Sequence, residues 1–229
     1  MLREITPLIG YKIEALDGEI GTVKDFLFDD ATWDIRYMVA DTGKWLPGRK
    51  VLLHPVTLKK PNWTYKEFPV NLTKKLIEES PPIDADEPVS RTKEKELFLH
   101  YSWTPYWPAE NIEALDVEDP EEKPGPHLRS FNEVKNYAIH AMDGRFGHLA
   151  DCVVDDMPWM IRYLIIDTVN WLPSKKVLFS PMWVKSIDWD LKEMQMPYGQ
   201  EIIKSGPEYD PEKPITREYE SQLFNHYGE

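Results

Sequence analysis

Shifting the sequence by 126 positions lays Leu8 to Ser102 over Val134 to Gly228 without a gap. Asp17-Gly18 falls on Asp143-Gly144, Gly21 on Gly147, Asp29-Asp30 on Asp155-Asp156 and Trp33 on Trp159. The register continues through Arg36-Tyr37 on Arg162-Tyr163, Asp41-Thr42 on Asp167-Thr168 and Trp45-Leu46-Pro47 on Trp171-Leu172-Pro173. It ends with Arg91 and Glu94 on Arg217 and Glu220, Leu97-Phe98 on Leu223-Phe224 and His100-Tyr101 on His226-Tyr227. A repeat of about 95 residues is longer than a solenoid unit, so each copy is expected to hold a core of its own rather than stack on its neighbour. The expected organisation is a first domain over residues 1–109, a linker over 110–130 and a second domain over 131–229.

Hydrophobic residues make up 41% of the chain and charged residues 29%, enough apolar surface to offset the entropy of ordering, which excludes a wholly disordered protein. The net charge of −13 is shared by both halves, and no stripe of Lys and Arg offers a phosphate footprint, so nucleic acid is not an expected partner. An acidic surface favours solubility and would steer the chain toward a basic partner. Cys152 stands alone, which excludes an intrachain disulfide and a thiolate zinc site. Its alignment with Phe26 points to a buried apolar role. Met1-Leu2-Arg3-Glu4 lacks the apolar run of a signal peptide, and no stretch approaches a membrane span, so a cytoplasmic location is expected.

Each copy opens with a period-two stretch, Tyr11 to Leu16 or Tyr137 to Met142, running into Asp-Gly, the signature of a two-residue hairpin. Centred on Asp143-Gly144, that hairpin would pair His140 with Gly147 and Ile139 with His148. Gly21 and Gly147 predict a bulge or sharp bend in the returning strand. Ile35 to Ala40 and Ile161 to Ile166 are apolar at nearly every position past the arginine, so both faces of this strand are expected to be covered. The strands Lys50 to Leu53 and Lys176 to Phe179 should stop by Pro55 and Pro181, where a ladder donor is lost. Short helical turns follow at Leu72 to Glu79 and Tyr198 to Ser205. Ser90 and Thr216 read as N-caps of helices ending at Tyr101 and Tyr227, whose Leu97, Phe98, Tyr101 and Leu223, Phe224, Tyr227 faces would serve as covers. Between the copies, Glu110 to Glu122 has seven acidic residues and no basic one, the composition of a solvated linker.

Taken together, the Asp-Gly hairpin, its following glycine, the apolar strand ending in Asp-Thr, and Asp41-Thr42-Gly43-Lys44-Trp45-Leu46-Pro47-Gly48-Arg49-Lys50-Val51-Leu52 resemble the PRC-barrel family. Asp167-Thr168 to Leu178 repeats the resemblance in the second copy. It implies a small closed all-β barrel of about six strands, used mainly for protein docking rather than catalysis. The chain lacks the membrane helix of the photosynthetic reaction-centre H subunit and the RNA-processing companion domain of a ribosome maturation factor. It resembles stand-alone tandem proteins of the family, of undefined role, more than either of these.

Asp29-Asp30 and Asp155-Asp156, with Asp25 and Asp151 upstream, offer oxygens to a hard cation. The spacing of a calcium loop is missing, however, and aspartate is favoured at turns for its local backbone bonds, so no metal site is assigned. Only His100 and His226 recur in both copies, and no catalytic dyad or triad follows from spacing, so no catalytic residue and no cofactor is assigned. Trp45, Trp171, Trp33 and Trp159 are the candidate interaction residues, with Trp45 and Trp171 the best candidates for exposure. Arg36 and Arg162 sit inside apolar strands, where a buried guanidinium needs a carboxylate; Asp41 and Asp167 are candidate ion-pair partners, as are Asp29 and Asp30 and their counterparts.

The expected fold is mainly β: two tandem small closed barrels of the PRC-barrel type, each followed by a short C-terminal helix and related by a pseudo-two-fold axis. The expected function is non-enzymatic docking of a basic or membrane-associated protein, by a monomer with an internal pseudo-dimer or a weak homodimer. The alternative is a small-molecule or cofactor binder using an aromatic cleft between the barrels.

Overall fold

The computed structural model describes residues 1–43, 45–47, 49–82, 89–107, 128–168 and 175–228. The acidic linker at 110–127 lies outside them. Strand β1 (Leu2–Glu4) leads into β2 (Lys12–Ala15), β3 (Gly18–Asp29), β4 (Ile35–Asp41), β5 (Lys50–Leu53), β6 (Glu67–Pro69), α1 (Lys74–Glu78) and α2 (Arg91–Tyr101). The second half contains β7 (Leu128–Ser130), α3 (Phe131–Val134), β8 (Ala138–Ala141), β9 (Gly144–Asp155), β10 (Met160–Asp167) and β11 (Lys176–Phe179). It ends with β12 (Ser186–Asp188), β13 (Glu193–Gln195), α4 (Gln200–Ser205) and α5 (Arg217–Tyr227). The elements from β2 to α2 thus return in the second repeat at the spacing of the sequence repeat, with β12 added.

The hairpin reverses one residue earlier than the alternation predicts. Ala15 pairs with Gly18 and Ala141 with Gly144, so Leu16-Asp17 and Met142-Asp143 form the connections. A register shift beyond His140 then sets Ile139 opposite Gly147 and Ala138 opposite His148. Gly18 and Gly144 take φ of 132° and 136°, which suits a residue without a Cβ. The aspartates before them cap the helices: Asp17 accepts from the Lys74 amide at 2.7 Å and Asp143 from the Gln200 amide at 2.9 Å.

The predicted irregularity is present in both repeats, as a register shift between Ile13 and Glu14 and another between Ile139 and His140. A Cβ at Gly21 would fall on the Asp41 carbonyl oxygen, and one at Gly147 on that of Asp167. Glycine is therefore required because β3 and β9 pass against the ends of β4 and β10. Beyond that crossing, Thr42 and Thr168 hold the loop by donating to the Arg49 and Lys175 carbonyls, at 2.6 Å and 2.8 Å.

The protein is mainly β with two sheets. One follows the order β5-β4-β3-β2-β6, the other β11-β10-β9-β8-β13-β12. Closed barrels were expected, whereas these pairings among the described residues form open paths. Pro55 and Pro181 remove a ladder donor after β5 and β11, and the chain leaves each as a 3₁₀ turn.

Two compact units emerge. One comprises Ile9–Thr32 and Arg36–Leu128; the other comprises Met1–Leu8, Trp33–Ile35 and Arg129–Glu229. The first eight residues, which sequence order groups with the first repeat, thus lie in the unit built mainly from the second. There β1 runs antiparallel to β9, with Leu2 opposite Asp155 and Glu4 opposite Val153. The Ile5 amide continues the ladder to the Cys152 carbonyl at 3.0 Å, and the Ile5 and Leu8 side chains are buried. Cys152 is fully buried, and burial pushes its thiol well above the ordinary value.

Both helices begin at the expected caps, Ser90 accepting from the Lys93 amide and Thr216 from the Tyr219 amide. Their histidines bond the preceding helix: His100 Nε2 meets the Leu76 carbonyl and His226 Nε2 the Ile202 carbonyl, each at 2.8 Å.

Candidate interaction surface

Trp33 and Trp159, candidate interaction residues in the sequence, are 9% and 6% exposed. Both take left-handed backbone, φ 63° and 66°, at the turn following the paired aspartates. The Ile35 amide donates to the Trp159 carbonyl at 2.8 Å and the Ile161 amide to the Trp33 carbonyl at 2.9 Å. This reciprocal ladder carries both indoles inside, which removes them from the candidate surface. Trp45 is half-buried, with Lys74 Nζ 4.8 Å from its ring centroid. Trp171 lies outside the described residues.

Arg36 pairs with buried Asp29 at 3.2 Å, and Asp29 also accepts from the Ala31 and Thr32 amides at 3.0 Å and 3.1 Å. Its oxygens thus serve the turn and the guanidinium. Asp41 instead accepts from the Gly43 amide at 2.9 Å. Arg36 and Asp41 are five apart on one strand, which puts them on opposite faces. The same spacing separates Arg162 from Asp167; Arg162 is exposed, and its charge acts on the Asp155 carboxylate.

The first repeat builds a polar cluster beneath α2. Glu94 is buried, and its Oε1 accepts from the Tyr37 and Tyr106 hydroxyls, both at 2.8 Å. Its Oε2 pairs with Arg91 at 3.0 Å. Burial pushes the Glu94 carboxyl up despite these partners, and burial with the nearby carboxylate pushes both phenols up. Arg36 stacks on the Tyr106 ring at 3.9 Å and Arg91 on the Trp107 ring at 4.3 Å. Phe98, from the next turn of α2, meets Trp103 at 5.7 Å and Trp107 at 4.8 Å between centroids. The chain after α2 therefore folds back over its own helix, and Phe98 is 3% exposed.

The second repeat keeps the helix, and among the described residues its surface is more exposed. Tyr163 donates to Glu220 at 2.7 Å, as Tyr37 does to Glu94. Leu223 and Tyr227 are buried, yet Phe224, aligned with Phe98, is 52% exposed. Trp183 packs edge-on against Phe224 at 5.2 Å, and the neighbouring Met182 is 90% exposed. Arg162 and Arg217, aligned with Arg36 and Arg91, are both exposed.

Among the described residues, no group of three or more His, Cys, Asp or Glu side chains could hold a metal ion. No described helix is long and apolar enough to cross a membrane. Residues 2–66, which contain β1 to β5 and the Gly21 crossing, match the family model of the PRC-barrel domain. The matched segment is a PRC-barrel domain. PRC-barrel domains form a family of protein-interaction modules and are generally non-catalytic. No curated protein matches the chain.

The PRC-barrel match stops before α2, so the cover built by Tyr106 and Trp107 lies outside it. Sequence reasoning placed the helix but missed this cover. Its signal was Tyr37, Arg91 and Glu94 recurring as Tyr163, Arg217 and Glu220, polar residues kept at fixed positions in both copies. The register could not show that Phe98 and Phe224 differ in exposure, because the covering residues come after it ends.

Proposed function

We propose that the chain is a non-enzymatic docking module for a protein partner. The observation that carries this reading is the apolar surface of Met182, Trp183 and Phe224 on the second repeat, in a chain whose first repeat covers the aligned Phe98. Exposed contiguous apolar patches rimmed by charge mark interaction sites on soluble proteins. The PRC-barrel match supports the same reading. The net charge of −13 favours a partner with a basic face, including one at a membrane surface.

The test is affinity capture of the tagged chain under mild crosslinking, with identification by mass spectrometry and rebinding of the purified candidate. A partner that rebinds the isolated chain, more weakly as salt rises, supports the reading. Retention of nothing above the tag control, together with a metabolite that raises the melting temperature, would replace docking with small-molecule binding.

A further inference from the structure

The two repeats differ in charge at the hairpins that lead into β6 and β13. Residues 55–66 carry three lysines and no acidic residue, in a chain of net charge −13, whereas the aligned residues 181–192 set Asp188 and Asp190 against Lys185 and Lys192. The turn does not demand this difference. Asn62 Oδ1 accepts from the Tyr65 amide at 3.2 Å, where Asp188 Oδ1 accepts from the Asp190 and Leu191 amides at 3.1 Å and 2.9 Å. An amide oxygen and a carboxylate oxygen both close the loop, so folding leaves the sign of the charge free. Lys59, Lys60, Thr64 and Lys66 are exposed, and Tyr65 is 70% exposed. Among the described residues, none of these three lysines pairs with a carboxylate. Glu67, at the start of β6, acts instead on Lys12 of the adjacent β2, which itself pairs with Glu19 at 3.1 Å.

We infer that this hairpin of the first repeat docks on an anionic lipid surface, with the three ammonium groups at the headgroups and the Tyr65 ring at the interface. At physiological ionic strength, charges more than about 8 Å away are screened, so the local lysines rather than the net charge of the chain decide what the tip meets. A bilayer fits the hairpin better than an acidic peptide does. Asn62 and Glu67 exchange backbone bonds at 2.8 Å and 3.1 Å, which makes the intervening residues a projecting turn rather than a groove. An extended peptide needs a groove or a strand edge, and Pro61 removes a ladder donor from the outer strand of this hairpin. Lysine is a compact point charge suited to a diffuse anionic surface, while paired recognition of carboxylates is the property of arginine, absent from residues 55–66. Tyrosine, with an apolar body and a polar tip, suits the boundary between headgroups and acyl chains.

The test sediments the full chain with vesicles of phosphatidylcholine containing about one-third phosphatidylserine, and with phosphatidylcholine alone. Binding to the anionic vesicles only, falling as salt rises, is expected. Lys60→Ser should weaken it about fivefold, and Asn62→Asp combined with Thr64→Asp about twentyfold. Each of these puts the second repeat's residue in place, so the turn is one the chain already makes, and the melting temperature should hold. Tyr65→Ala should weaken binding at every salt concentration. Equal sedimentation with both lipids, no sedimentation with either, or wild-type binding by the double aspartate variant overturns the inference. Saturable shifts of the hairpin amides with an oligoglutamate peptide, without vesicle binding, would replace the membrane by an acidic protein. The hairpin shares no residue with the patch of Met182, Trp183 and Phe224, so its failure leaves the docking reading intact.

Discussion

Protonating His54 should destabilise the first-repeat unit by about 3 kcal/mol between neutral pH and pH 4. The imidazole lies among Tyr37, Phe98 and Trp103, with centroids 6.1, 5.5 and 5.2 Å away. Burial, followed by the charge of Arg36, lowers its pKa from 6.5 to about 4. The Val56 amide donates to Nδ1 at 3.2 Å, so a proton on that nitrogen would remove the cap of the 3₁₀ turn. Between pH 6.5 and about 4 the unfolded chain binds a proton that the folded unit does not, so stability falls as pH drops through that window and levels off below it. At about 1.4 kcal/mol per pH unit, the interval amounts to about 3 kcal/mol. His54→Ser is the comparison, because the second repeat has Ser180 at the aligned position, accepting from the Met182 amide at 3.4 Å. Urea unfolding of both proteins from pH 7.5 to pH 4 cancels the carboxylate titrations they share. The variant loses ring packing at every pH, so the stability advantage of the wild type should shrink by about 3 kcal/mol on acidification. A flat difference, or an NMR titration of the His54 ring with a midpoint near 6.5, would refute the reasoning.

Gly21→Ala and Gly147→Ala each drive a methyl into a neighbouring carbonyl oxygen and should cost more than about 3 kcal/mol; a melting temperature within a few degrees of wild type would contradict the close approach. Tyr37→Phe removes a donor from buried Glu94 and should cost about 1–3 kcal/mol in urea unfolding, more than Tyr163→Phe, whose partner Glu220 is less buried. Ile5→Ala should destabilise the unit containing the second repeat by about 2–5 kcal/mol and speed hydrogen exchange at Val153 to Asp155; acceleration confined to β2 and β3 would place the N-terminal strand elsewhere.

The hairpins, glycine crossings, apolar strands and capped helices were legible because each depends on local chemistry: alternation, a missing Cβ, or a hydroxyl at a helix start. The reading went wrong by one residue at the hairpin. Turn signal and bulge act on the same ladder, and pattern alone does not say how they divide the register. Whether Trp33 and Trp159 line a surface or the core was open for a similar reason. Aromatic residues at a turn are equally compatible with exposure and burial, and the reciprocal ladder that buries them joins segments far apart in sequence.

The sequence by itself determined that one module is written twice, where its strands and helices fall, and which positions need glycine or a cap. These follow from spacing and local sterics, which a chain expresses before it folds. Only the tertiary structure decided that residues 1–8 belong with the second repeat, that Asp29 rather than Asp41 neutralises Arg36, and that Phe98 is covered where Phe224 is exposed. Burial and pairing are properties of neighbours brought together by folding, so two copies of one pattern can present different surfaces.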